Sequence, residues 1–158
     1  MIKFRRILCP VDFGANSVTA LKIAAELARE RGAALYVLHV VAIPSGPEVS
    51  LDFSKLEGAA RTRLERLVRE KVGAGANWEA HVRSGAPAFE VLRAAERWGA
   101  DLIVMATHGR KGLKHLVLGS VAESVVREAP CPVLTIRPGA APPAPRRAAA
   151  TRRARSEA

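Results

Sequence analysis

The sequence predicts an α/β protein built on an open, five-stranded parallel sheet, and two observations lead to that fold class. Five short apolar segments alternate along the chain with four longer segments whose apolar residues recur at helical spacing. Residues 102–106 (Leu-Ile-Val-Met-Ala) are also apolar without interruption, which is typical of a parallel strand that is covered on both faces. The 158 residues leave room for one ordinary domain.

The elements can be placed in order along the chain. Strands are expected at residues 3–11, 35–41, 78–82, 102–106 and 133–136. Helices are expected at residues 18–31, from 51 or 54 to 72, 87–98 and 120–128. The third strand alternates between apolar and polar residues, which favours a position at the edge of the sheet. His39, in the second strand, is expected to be a hydrogen-bonded sheet histidine, because no second ligand lies at metal-binding spacing.

Capping residues, glycine and proline indicate where the helices begin and end. Asn16 or Ser17 can cap the first helix with a side-chain oxygen, and Gly32 can end it in a left-handed conformation. Pro87 suits the first turn of the third helix, because its missing N–H would have no helical partner there. The apolar side of the third helix is expected to consist of Phe89, Val91, Leu92 and Ala95.

The segment 101–138 carries the clearest functional pattern, because a glycine-bearing loop leads from a buried strand into a helix that opens at Gly119-Ser120. A helix N-terminus presents unpaired N–H groups and a partial positive charge, so it attracts phosphate. Gly109 and Gly112 are expected to adopt positive φ angles and to turn N–H groups inward as an anion nest. Ser120 can cap the helix or donate its hydroxyl to a phosphate oxygen. Nearby cationic side chains are those of Arg110, Lys111 and Lys114.

The run Ala106-Thr107-His108-Gly109, followed after nine residues by Gly119-Ser120, resembles the glycine motif of the ATP-binding branch of the universal stress protein family. That motif reads Gly-x-x-Gly, nine residues, then Gly-Ser or Gly-Thr. Gly109 and Gly119 match its second and third glycines, and Ser120 matches the hydroxyl residue. Ala106 stands where the family has its first glycine. The resemblance extends over roughly residues 1–138 and includes the opening strand with Asp12.

The resemblance, together with the analogy to doubly wound folds, implies a Rossmann-like sheet of the adenine nucleotide α-hydrolase type. Its strand order would be 3-2-1-4-5, with helices on both faces. This order reverses between the first and fourth strands, and ligands of open parallel sheets bind at such a switch point. Asp12 and the loop at 106–120 would therefore meet in one crevice.

The resemblance further implies that this crevice binds an adenine nucleotide, namely ATP together with Mg²⁺. Backbone amides of Gly109, Gly119 and Ser120 would hold the phosphates. Backbone groups at Val40 would hold the adenine ring, and Gly85 would lie near the ribose. The predicted nucleotide-binding residues are Pro10, Val11, Asp12, Val40, Ala106, His108, Gly109, Arg110, Gly119, Ser120 and Val121. No residue is assigned a catalytic or metal-binding role.

The alanine at position 106 admits two readings. If the family glycine is required only because space is tight, one methyl group is tolerated. If it is required for a positive φ angle, alanine costs about 1–2 kcal/mol and binding weakens. The first reading is favoured, because Ala106 ends an apolar strand.

Composition and charge indicate which partners and which cellular location to expect. Five arginines and one glutamate after Pro138 contribute +4 of the net charge of +10, which leaves +6 on residues 1–138. Nucleic acid is not the expected partner, because no aromatic residues interleave the arginines of the second helix. No apolar run approaches the ~20 residues of a membrane helix, no leader is visible, and the two cysteines have no disulfide or metal spacing, so a cytoplasmic location is expected. Residues 139–158 are expected to form a disordered tail rich in Ala, Pro and Arg behind a nucleotide-binding domain at 1–138.

Three functions remain open. The leading one is an ATP-binding regulatory protein of the stress response, which signals to an unidentified protein partner and has at most slow ATP hydrolysis. The second is a weak ATPase or phosphoryl-transfer enzyme, in which Asp12 positions Mg²⁺ or water. The third is a dimeric interaction module without nucleotide binding. The resemblance implies a homodimer through the last strand, formed by Val133, Leu134, Thr135, Ile136 and Arg137. Kinase-like and dehydrogenase functions are not supported, because neither of their glycine-rich phosphate motifs is present.

Overall fold

The computed structural model describes residues 3–43, 52–109 and 118–140. Its elements are β1 (Arg6–Pro10), α1 (Ala15–Arg31), β2 (Ala34–Ala42), α2 (Phe53–Lys71), β3 (Asn77–Gly85), α3 (Pro87–Trp98), β4 (Leu102–Ala106), α4 (Ser120–Glu128) and β5 (Val133–Ile136). All strand pairs are parallel, and the sheet order is β3-β2-β1-β4-β5, so the predicted fold class and strand order are confirmed. Outside the described residues lie Arg110, Lys111, Gly112 and Lys114 of the predicted phosphate loop, and residues 141–158 of the predicted tail.

The core forms two apolar layers, because successive residues of a strand face opposite sides of the sheet. In β1, Ile7 and Cys9 pack with α1 and α2, whereas Leu8 packs with α3 and α4. Leu64 of α2 and Val91 of α3 are fully buried on these two sides. Burial raises the pKa of the Cys9 thiol well above its usual range, so Cys9 behaves as a small apolar side chain.

Two strand boundaries differ from the sequence prediction by more than one residue. β1 begins at Arg6 rather than at residue 3, because the Asp101 carboxylate accepts the N–H groups of Arg5 at 2.8 Å and Arg6 at 3.0 Å where a further strand partner would be needed. β3 extends to Gly85, so the first residues of the loop expected after residue 82 are strand. They pair with the end of β2, with Val40 opposite Arg83 and Ala42 opposite Gly85.

Two predictions on the helices are wrong. α1 begins at Ala15 with Gly14 as its N-cap and no side-chain cap, because the Ser17 hydroxyl instead donates to the Asp12 carboxylate at 2.7 Å. Phe89 does not join the apolar side of α3 but is 59% exposed. The buried face of α3 is rotated away from Phe89 and consists of Glu90, Val91, Ala94 and Ala95. The Phe89 ring instead lies 5.9 Å from the Arg93 guanidinium.

The sheet edges agree with the sequence. Among the described strands, β3 pairs only with β2 and is an edge strand, as its alternation predicts, and β5 forms the opposite edge. His39 is a hydrogen-bonded sheet histidine, since its Nδ1 lies 2.7 Å from the Val11 carbonyl oxygen and donates to it. Among the helices within the described ranges, none has the length and apolarity needed to cross a membrane.

Candidate functional site

Asp12 lies two residues after the end of β1, at the carboxyl end of the sheet, and its carboxylate is held in place by neighbouring residues. Oδ1 accepts the Gly14 N–H at 2.8 Å and the Ser17 hydroxyl at 2.7 Å. The Asp12 N–H in turn donates to the Ser17 hydroxyl oxygen at 3.2 Å. These hydrogen bonds hold Oδ1. Oδ2 faces the loop that follows β4, where a Cβ built on Gly109 would lie 3.1 Å from that oxygen.

Gly109 and Gly119 are required for close approach rather than for unusual backbone angles. Gly109 does not have a positive φ angle, so the prediction of a left-handed conformation there is wrong. Its close neighbour is the Asp12 carboxylate. Gly119 has φ −72° and ψ 163°, which any residue can adopt, but a Cβ there would lie 3.2 Å from the Thr107 carbonyl oxygen. The two glycines therefore bring the β4 loop, Asp12 and the start of α4 together.

Gly119 and Ser120 have roles different from those expected. Gly119 is the N-cap of α4, so Ser120 does not cap the helix but stands exposed at its first position. The Gly119 N–H donates to Thr107 O at 2.7 Å and is therefore not a donor directed at a ligand. The first helical hydrogen bond runs from Glu123 N–H to Gly119 O at 2.8 Å, so the N–H groups of Ser120, Val121 and Ala122 precede it without helical acceptors.

Thr107 is a residue of the site that the sequence analysis missed. It is 2% exposed, and its N–H donates to Ile136 O at 3.0 Å, which ties the loop to the end of β5. Its hydroxyl also lies 2.9 Å from Nδ1 of His108 and so orients that ring. The signal was a single polar residue at the end of an apolar strand, which is where ligand-contacting loops begin.

Phe13 is a second residue that the sequence analysis missed. It has φ 65°, and no other described non-glycine residue has a positive φ. Its ring lies 4.3 Å from the His39 ring, and the Arg63 guanidinium of α2 lies 4.2 Å from its centre. These contacts fix the conformation of the turn that carries Asp12. No sequence signal marks them, because β1, β2 and α2 meet here only in the folded chain.

Ala106 ends β4 and pairs with Ile136 of β5. Its φ angle is not positive. The backbone therefore agrees with the reading in which the family glycine is required for space rather than for a left-handed conformation.

The remaining predicted residues lie along the same edge of the sheet. Pro10 ends β1, and the Val11 N–H donates to Leu38 O at 2.8 Å, which brings the turn after β1 beside the end of β2. Val40 lies near that end of β2 and packs with the layer under α3 and α4. Gly85 ends β3, two strands away from β1. Arg110 lies outside the described residues.

Metal binding by side chains alone is not indicated in the described part of the chain. No group of three or more His, Cys, Asp or Glu residues there is arranged to hold a metal ion. What the site offers is a row of helix-start N–H groups beside a fixed carboxylate, at the point where the strand order reverses. Such an arrangement can bind a phosphate-bearing ligand that also presents hydrogen-bond donors.

Comparisons of the sequence with known proteins agree on one family. The profile of the universal stress protein family matches residues 3–137. Universal stress protein MJ0531 of Methanocaldococcus jannaschii is 33% identical over 140 residues, which cover 85% of this chain and 82% of that protein. A universal stress protein of Thermus aquaticus is 37% identical over 139 residues, covering 85% and 99% of the two chains.

Solved structures share the fold. Protein MJ0577 of Methanocaldococcus jannaschii superposes with a TM-score of 0.74 at 26% identity, covering 86% of this chain and 97% of that one. A universal stress protein of Archaeoglobus fulgidus, solved in complex with dAMP, superposes with a TM-score of 0.63 at 28% identity, covering 85% and 99% of the chains.

Proposed function

This chain belongs to the universal stress protein family, and from that premise we propose that it is a regulatory protein that binds ATP in the crevice between β1 and β4. The observation that carries the proposal is the close approach of Asp12 to Gly109, and of the same loop to Gly119, at the carboxyl end of the sheet beside the start of α4. The dAMP complex of the Archaeoglobus fulgidus relative supports an adenine nucleotide as the ligand. Regulation through the bound nucleotide, by way of a protein partner, is part of the same proposal.

The phosphates would lie against the start of α4. The N–H groups of Ser120, Val121 and Ala122 are donors at the positive end of the helix, and the Ser120 hydroxyl is exposed beside them. Hydrogen bonds to a charged group contribute roughly 1.5–3 kcal/mol each, so three of them approach the ~8 kcal/mol of micromolar binding. Asp12 and Val40 would bind the adenosine end, on the β1–β2 side.

Mg²⁺ would enter with the nucleotide. This ion prefers oxygen ligands, keeps several waters and is commonly held by phosphates with one or two carboxylates. Asp12 is a carboxylate beside the phosphate-binding loop, since its Oδ2 lies close to Gly109. It would therefore contact the ion directly or through water.

The same geometry favours binding over turnover. A general base must reach the proton that it removes. Asp12 Oδ1 already accepts two hydrogen bonds from its own turn, and Oδ2 is the oxygen that would face Mg²⁺. His108 lies with Nδ1 2.9 Å from the Thr107 hydroxyl, which suits a residue that shapes the loop. We therefore place the weak ATPase second.

Calorimetric titration of ATP with Mg²⁺, combined with a phosphate-release assay, tests the proposal. The expected result is a dissociation constant in the micromolar range with no phosphate release above the background rate. Release that saturates with ATP would instead establish the ATPase. Absence of both binding heat and a thermal shift would leave the interaction module as the function.

We also propose that the protein is a homodimer joined through β5. Within the part of the chain that the structure describes, this strand is a sheet edge that pairs only with β4, so its outer N–H and C=O groups can pair with a second copy. Leu134 of β5 is 39% exposed and Val126 of α4 is 45% exposed. Both are large apolar side chains that a partner β5 could cover.

A further inference from the structure

Phe13 has a backbone conformation that ordinarily belongs to glycine. Its φ angle is 65°, and no other non-glycine residue in the described ranges has a positive φ. A bulky side chain in the left-handed region crowds the backbone, so the conformation persists only where the surrounding structure compensates for the strain. Such residues concentrate at binding sites, and Phe13 directly follows Asp12. The strain at Phe13 therefore indicates a role at the site.

The conformation of Phe13 determines where the Asp12 carboxylate points. Phe13 is the one residue between Asp12 and Gly14, and Asp12 Oδ1 accepts the Gly14 N–H at 2.8 Å. An aspartate side chain bonds the N–H two residues ahead only when the intervening backbone forms a turn. A different φ angle at Phe13 would move the Gly14 N–H away from Oδ1. The direction of Oδ2 toward Gly109 would change with it.

Two contacts compensate for the strain at Phe13. Its ring lies 4.3 Å from the ring of His39, which is itself held because Nδ1 donates to the Val11 carbonyl oxygen at 2.7 Å. The guanidinium of Arg63, in α2, lies 4.2 Å from the centre of the Phe13 ring. A cation over an aromatic face and a pair of aromatic rings are both attractive. Both contacts depend on where the turn places the ring, so they favour the left-handed conformation.

Arg63 can be changed without disturbing the core. It is exposed, whereas the adjacent Leu64 is fully buried and packs α2 against the sheet. None of the ion pairs between described residues involves Arg63. The contact with Phe13 is therefore the interaction through which a change at Arg63 would reach the turn.

We propose that Arg63 is a positioning residue of the nucleotide site, which acts through Phe13 on the direction of the Asp12 carboxylate. The inference rests on the proposed nucleotide binding and extends the determinants of its affinity to the outer surface of α2. Without the guanidinium, the turn that binds the nucleotide becomes one of several conformations. The apparent dissociation constant then rises in proportion as the population of that turn falls.

Calorimetric titration of ATP with Mg²⁺ into the wild type, Arg63→Met and Arg61→Met measures the effect. Methionine keeps an unbranched apolar side chain and removes the charge. Arg61→Met makes the same change at another exposed position of α2. We expect Arg63→Met to bind ATP about fivefold more weakly than the wild type, and Arg61→Met to bind within about twofold of it.

A second pair of variants separates positioning from a direct effect of the Arg63 charge on the phosphates. Glycine adopts a positive φ angle without strain, so Phe13→Gly should bind ATP within about twofold of the wild type. Adding Arg63→Met to Phe13→Gly should have no further effect, because the turn no longer depends on the contact with the ring. An Arg63→Met loss of the same size in both backgrounds would overturn the inference, since the arginine would then act without Phe13.

Hydrogen exchange without nucleotide reports on the turn itself. The Gly14 N–H is protected by Asp12 Oδ1, so Arg63→Met should speed its exchange about fivefold. The Thr107 N–H, bonded to Ile136 O, should exchange at the wild-type rate. Faster exchange at both amides, or no change at Gly14, would overturn the inference. So would an Arg63→Met protein that binds ATP as tightly as the wild type, whereas a wild type that binds no ATP would overturn both proposals.

Discussion

Gly109 and Gly119 are glycines because of the atoms that face them. The Asp12 carboxylate lies against one and the Thr107 carbonyl against the other, at 3.1 and 3.2 Å from the positions that Cβ atoms would take. The sequence pattern located both residues but suggested the wrong reason for Gly109, because a spacing of glycines does not distinguish a left-handed φ angle from a close contact. Likewise, the hydrogen bonds of Ser17 and Thr107 could not be predicted, since they depend on side-chain directions after folding.

Ala106→Gly tests whether the alanine at the position of the first family glycine is tolerated in the nucleotide site. The backbone at 106 is ordinary strand, so glycine should gain nothing in conformation and should destabilise the protein by about 0.5–1 kcal/mol. We expect the free energy of unfolding in urea to fall by that amount, with the ATP dissociation constant unchanged within about twofold. A tenfold gain in affinity would instead show that the alanine methyl obstructs the nucleotide.

At the scale of the elements, the bounds of helices and strands were predicted most accurately where neighbouring residues in the sequence determine them. α3, β4, α4 and β5 have the bounds that the sequence indicated, because proline, glycine and uninterrupted apolar runs mark them. β1 and β3 differ because their ends depend on other parts of the chain, namely the Asp101 carboxylate and the length of β2. A local sequence pattern does not predict contacts with such distant parts of the chain.

Leu64→Ala tests which face of α2 supports the sheet. Leu64 is fully buried, so its truncation should lower the free energy of unfolding by about 2–5 kcal/mol, as is usual for core leucines. Leu56→Ala provides the control in the same helix. Leu56 is 40% exposed, and its truncation should change stability by no more than about 0.5 kcal/mol. Equal effects in a denaturant titration would mean that α2 packs through a different face.

At the scale of the whole molecule, the order of the strands brings the site together. Asp12 and Gly109 are 97 positions apart in the chain, yet β1 and β4 are neighbours in the sheet, so both lie at its carboxyl edge. Alternating strands and helices predicted this topology class, and the family resemblance supplied the order. The burial of Glu90 in α3 was not predicted, because a glutamate in a helix is ordinarily a surface residue.

Leu134→Glu tests the proposed dimer. A charged side chain at this exposed position of β5 would have to be buried against its own copy across a two-fold axis, so the variant should be monomeric. Sedimentation velocity should report a mass near 16.9 kDa for the variant and twice that for the wild type. Leu56→Glu makes the same change at a similarly exposed leucine and should remain dimeric. A wild type that sediments as a monomer would contradict the proposal.

The central claim is that ATP binds where Gly119 brings the start of α4 against the β4 loop. The most direct measurement is calorimetric titration of ATP with Mg²⁺ into the wild type, Gly119→Asp and Gly58→Asp. The first variant places a carboxylate beside the phosphate-binding N–H groups, whereas a Cβ at Gly58 meets no atom within 4 Å. Micromolar binding by the wild type and Gly58→Asp, abolished in Gly119→Asp at an unchanged far-ultraviolet spectrum, is the predicted result. Equal binding by all three proteins would contradict the account, because the nucleotide would then lie elsewhere.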